Sequence, residues 1–190
     1  MKKIFYFLLK FFCILIFFSC TKNEINIEND IEQCKLLEGT WTQTRLTEVA
    51  IRNDETNLEF ITGFAEYNTF TSVTFDANQN MRTKISNELV SYEFESDEYE
   101  LSQEELDLYF NQKIIIDANY VASKENIQYE NTQISINDSD FISYDEYMQI
   151  NPQVKNNRQI LSWKIENNKL ILTMHLQKEK IETEYYRVSQ

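Results

Sequence analysis

The residues with the most chemical potential are few and scattered. His175 is the single histidine of the 190-residue chain. It lies in an alternating run, Leu170-Ile171-Leu172-Thr173-Met174-His175-Leu176, on the face opposite Met174 and Leu176. A lone imidazole with no second nitrogen or thiol nearby in sequence is a poor zinc site. As a general base it has no nucleophile paired to it. Asp76-x-Asn78-x-Asn80 has the spacing of the first half of a calcium loop, but Met81 and Asn87 stand where that loop needs glycine and glutamate. A hairpin turn accounts for the segment. Glu93, Glu95, Asp97, Glu98 and Glu100, with Glu104, Glu105 and Asp107, form an acidic stretch. It reads as a solvated loop and helix face, with weak calcium or a basic partner as the alternative. The chain has no Gly-rich phosphate loop, Cys-x-x-Cys, Gly-x-Ser-x-Gly or His-Glu-x-x-His. The expectation is therefore a non-enzymatic protein with no catalytic residues, no metal and no cofactor.

The cysteines are more informative. Residues 1–19 open with Lys2 and Lys3, continue through an apolar run from Ile4 to Phe18 broken by Lys10, and end at the small Ser19. That layout predicts a secretory signal peptide, and the run is too short to span a bilayer. Phe17-Phe18-Ser19-Cys20 resembles the lipobox of bacterial lipoproteins; Ser19 and Cys20 fit it, while Phe17 and Phe18 replace the usual leucine and small residue. The resemblance implies that Cys20 is the lipid-attachment residue, its thiol forming a thioether to a diacylglyceryl group. Two or more acyl chains anchor stably, at roughly 0.8 kcal/mol per buried CH₂. Signal cleavage elsewhere, with Cys20 an ordinary residue, is the alternative. Residues 20–35 read as a polar tether. Position 21 is threonine, not the aspartate that retains many such lipoproteins at the inner membrane, so the expected location is the outer membrane. Glu24 weakly matches a surface-export signal and leaves the periplasmic and outer faces open. Cys13 leaves with the signal, so Cys34 stays without an intramolecular partner: buried, idle, or paired with another molecule.

The formal charge is −13, and losing Lys2, Lys3 and Lys10 deepens it to −16. That argues against nucleic acid and anionic lipid headgroups as partners, and solubility on a crowded surface accounts for it. The residues beyond the tether, 36–190, suffice for one domain and one core.

Two glycines and one proline are few for a β protein, and asparagine supplies the turns, since it tolerates positive φ. Strands are predicted over 39–51, with Trp41, Val49 and Ile51 in phase, and over 70–75. After the turn at 76–80, strands follow over 81–85 and 88–95, the latter with Val90, Tyr92 and Phe94 alternating. Residues 113–121 and 127–136 are less regular candidates. In the C-terminal part Leu161, Trp163 and Ile165 share a face, Asn167-Asn168 makes a tight turn, Leu170, Leu172, Met174 and Leu176 share the return face, and 181–188 is the last strand. Ser102 with Glu105 fits a capping box before a short helix, and 143–150 is a second short helix ended by Pro152. The fold class is mainly β: an antiparallel barrel or sandwich of about eight strands, with one or two short helices in connections.

Leu36-Leu37-Glu38-Gly39-Thr40-Trp41 carries a Gly-x-Trp at the opening of the first strand and resembles the lipocalin-like lipoproteins of the Bacteroidota. The Trp163-to-Tyr186 stretch, a tryptophan followed by a turn, a Leu-rich and a Tyr-rich strand, resembles their ending. The resemblance implies a structural motif of Gly39, Trp41 and Arg187, in which the tryptophan closes one barrel end and the arginine stacks on it; an exposed cation on an acidic surface is the alternative for Arg187. The long middle connection and the missing disulfide depart from true lipocalins. Two readings follow. In the first, the domain binds a small hydrophobic ligand in an apolar pocket lined by Trp163, Leu172 and Met174. In the second, it is a structural or protein-interaction module of the envelope, with a filled core and a Tyr- and acid-rich working surface.

Overall fold

A computed structural model of the chain describes residues 28–53, 60–94, 102, 110–152, 154, 156–175 and 179–188. The expected signal peptide, Cys20, the first part of the tether and the helix after Ser102 up to Tyr109 lie outside them. Asp30 caps helix α1 (Ile31–Leu37), its carboxylate accepting from the Glu32 and Gln33 amides at 3.0 and 3.3 Å. Cys34 and Leu37 on this helix are buried. Within the expected tether a capped turn of helix starts at Ile31, because Cys34 and Leu37, seven and four residues before Trp41, find the core. Gly39, at φ +118°, then swings the chain into β1.

Nine strands follow: β1 (Gly39–Asn53), β2 (Phe60–Phe75), β3 (Asn80–Phe94), β4 (Lys113–Ala122), β5 (Asn126–Ile136), β6 (Ile142–Ser143), β7 (Arg158–Glu166), β8 (Lys169–His175) and β9 (Lys180–Arg187). Each long strand pairs antiparallel with the next, β5 with β7, and β9 returns to β1. The result is a closed eight-stranded up-and-down barrel, not a sandwich; β6 is a two-residue addition to β5. Closure at Trp41 and Thr42 joins the two edges that an open sheet would leave at this end.

Two of the predicted strands are one. Residues 81–85 and 88–94 belong to the single strand β3, residue 95 lying outside the described residues; in it Val90 has no partner while Leu89 faces Tyr67 and Ser91 faces Glu66. This bulge switches the inward parity from odd to even residues, so a strict period of two reads as two strands. The same device explains the irregular 127–136. Thr132 is the extra residue of β5, which lets Ile127, Tyr129 and Asn131 face inward before it and Ile134 after it. Strand β2 begins at Phe60, ten residues before the prediction, because its inward side is Tyr67, Thr69 and Thr71 rather than aliphatic. On the outer face Arg82 grips Asp117 with two hydrogen bonds of 2.6 and 2.8 Å, holding that carboxyl below its usual range, and Gln133 adds a third at 2.7 Å. The clamp ties β3, β4 and β5.

The core has two parts. Around Trp41 gather Cys34, Leu37, Phe75, Met81, Tyr120, Ile127, Trp163 and Leu170, which form a solid floor. Nearer the other end Ile85, Ile114, Ile116 and Ile134 meet Tyr144 and Tyr147 of helix α2 (Tyr144–Ile150). Ser143 caps that helix, accepting from the Glu146 amide at 3.2 Å.

Candidate binding cavity

The floor positions everything above it. Trp41 is fully buried, and its indole N–H donates to Leu37 O at 2.8 Å, fastening α1 beneath the barrel. The Arg187 guanidinium carbon lies 4.9 Å from the Trp41 ring centre, and Nη2 donates to Glu38 O at 2.6 Å. One cation therefore stacks on the tryptophan and satisfies the carbonyl left at the end of α1. Gly39 lies against this arginine: a Cβ there would stand 3.7 Å from its Nε and Nη2.

Above the floor is a cavity of about 210 Å³. One side of its wall is apolar, with Val73, Phe75, Ile116, Ile127, Leu161 and Leu172. The other is polar: Gln43, Arg45 and Thr47 of β1, Thr69 and Thr71 of β2, Thr183 of β9. Tyr67, Tyr129 and Tyr185 also face it. Burial pushes all three phenols up, Tyr185 to about 12, while the Arg45 charge works the other way on Tyr67. Asn131, 4% exposed, has a buried Nδ2 without a hydrogen-bond partner among the described residues.

The wall is parted on one side. Among the described residues β1 and β9 pair only at Trp41↔Arg187 and Thr42↔Tyr186, whereas β1 pairs with β2 along its whole length. Above Thr42 the two strands have no paired residues among the described ones. The lining residues there are Gln43, Arg45 and Thr47 on one lip and Ile181, Thr183 and Tyr185 on the other.

Of the expected ligand-binding residues, Leu172 and Met174 line the cavity and Trp163 does not. Trp163 belongs to the floor, its indole N–H drawn down to Ser123 O at 2.9 Å, because a buried indole needs an acceptor for its polar tip. His175 stands on the outer face, 3.2 Å from Ser162 Oγ. Ser162 also donates to Asn126 Oδ1 at 3.1 Å. Asp76 closes the β2–β3 turn, accepting from the Asn78 and Asn80 amides at 2.8 Å each, and no group of three metal-ligating side chains occurs among the described residues. Cys34 is buried, which pushes its thiol up. Of the acidic stretch, Glu93 is exposed and the rest lies outside the described residues.

Sequence reasoning missed the polar wall. Gln43, Arg45 and Thr47 share the parity of Trp41, the one signal in the sequence of their inward direction. No family model and no curated protein matches this chain.

Proposed function

We propose that this chain is a membrane-anchored lipoprotein whose lipocalin-like barrel holds a small hydrophobic ligand and performs no chemistry on it. The cavity carries the reading. A barrel that serves only as a rigid block fills its interior with side chains, whereas this one stacks threonines and a glutamine against an aliphatic wall and keeps open volume between them. Anchoring rests on the layout of residues 1–19 and on Cys20, and the outer membrane on the residue that follows. Two measurements test the two halves. Native mass spectrometry of the chain isolated from cells, before and after organic extraction, is expected to show a removable adduct. A clean mass in both samples would move the function to the barrel surface, where Leu46, Phe64 and Phe70 are exposed. Labelled palmitate is expected to enter the chain and to be lost in Cys20→Ala; incorporation that survives the substitution would sink the lipid assignment.

A further inference from the structure

We propose that the cavity selects single-chain amphiphiles with a carboxylate head, seated at Arg45 in the parted β1–β9 seam. The inference rests on the binding reading above and adds the class of ligand. Its first support is charge. The chain has 31 acidic and 18 basic residues, yet among the described residues the cavity is lined by no carboxylate and by one charged group, Arg45. A random draw from this composition would favour acid. The second is that Arg45 holds no carboxylate among the described residues, whereas Arg82, Lys113, Arg158, Lys164 and Lys169 each hold one at 3.0 Å or less. A guanidinium at the lip of a mostly apolar cavity offers a planar fork that matches a carboxylate.

Position supplies the rest. Arg45 pairs with Thr69, and Thr47, two residues on, pairs with Tyr67, so the inner face beside Arg45 carries a tyrosine close enough to feel its charge and two threonines. Arg45 is exposed whereas Val73 and Phe75 farther down the wall are buried, which puts the head at the opening and the tail toward the floor. The unpartnered Asn131 Nδ2, on a strand opposite β1 in the ring, is a second donor turned to the interior that a ligand oxygen can reach. At about 210 Å³ the cavity is below the range of drug-sized sites, so it admits one narrow chain and not a two-chain lipid. A phosphate monoester carries nearly two negative charges at neutral pH, more than one arginine offsets; a carboxylate carries one.

Isothermal titration of the full chain with decanoate and with 1-decanol at pH 8 tests this. Decanoate is expected to bind at least about tenfold more tightly, as a charge-assisted hydrogen bond gives. In Arg45→Leu the ratio is expected to fall to near one. In Lys84→Leu, which removes the same charge from the outer face of β3, it is expected to stay. An unchanged ratio in Arg45→Leu, no preference in the wild type, or tighter binding of decyl phosphate overturns the carboxylate assignment while leaving a ligand-binding barrel. Failure of decanoate and decanol alike to bind overturns both.

Discussion

Gly39 is the residue on which the floor turns. Its φ of +118° belongs to a region that side-chain-bearing residues avoid, and it sets β1 at the angle that brings Trp41 over Leu37 and under Arg187. A methyl group at this site meets Arg187 only at ordinary contact distance, so the burden of a substitution is backbone strain. Gly39→Ala is expected to destabilise the fold by about 1–3 kcal/mol, read as a lower urea midpoint with an unchanged slope; an unaltered midpoint would show that the floor tolerates another entry angle. The Gly-x-Trp pairing was legible because both residues have properties no substitute shares: one reaches a forbidden φ, the other fills the largest buried volume. Arg45 was not legible as a lining residue. Nothing in an isolated arginine tells which side of a barrel it faces; only its parity with Trp41 does, and that parity must hold over four residues without a bulge.

Bulges decide legibility among the elements as well. The β7–β8 hairpin was read correctly as far as His175, Leu176 lying outside the described residues, because it has none and because its turn is short. Asn167 and Asn168 both take positive φ, 51° and 62°, as a two-residue hairpin turn that follows the strand twist requires. Glycine adopts the second of these conformations without steric strain. Asn168→Gly is therefore expected to hold or raise the melting temperature, by up to a few degrees, with the cavity unaffected. A marked fall would mean that the Asn168 side chain supports the turn. Where Val90 and Thr132 shift the register, the alternation breaks and the strands read as two pieces or as irregular chain. The same two bulges curve the sheet toward closure, so what obscured the strands in the sequence is part of what closes the barrel.

For the whole molecule, the interior tyrosines set the alkaline limit. Tyr67, Tyr129 and Tyr185 are all held above their ordinary value by burial. In the unfolded chain they ionise near pH 10. The stability they contribute is complete below that pH and is lost as pH climbs from about 10 through the folded values, Tyr185 near 12. Unfolding is expected as one cooperative step above pH 10, with the tyrosinate absorbance of the interior phenols rising together with loss of the β-sheet circular dichroism. Half-complete ionisation of these rings at about pH 10 with the sheet intact would place them in water and empty the claim of a sheltered interior. An antiparallel β fold with Trp41 at one end was foreseeable from alternation and a Gly-x-Trp; closure as a barrel rather than a sandwich, the share of Cys34 and Trp163 in the floor, and the parted seam were not, since no local pattern reports how far two strands 146 residues apart remain paired.

That seam also orders events in time. Strand β1 is the first of the barrel to be synthesised, and its closing neighbour β9 is the last. The pairing of Trp41 with Arg187 therefore waits until every intervening strand exists, and it is among the longest loops the chain must close. Loop-closure entropy makes such contacts late. Until they form, the meander β1 to β9 stands as an open sheet with β1 and β9 as bare edges, able to pair with any other strand it meets. Two residue pairs and one stacked arginine end that interval, so the interactions that close the floor also set how long the nascent protein remains exposed to the wrong partner.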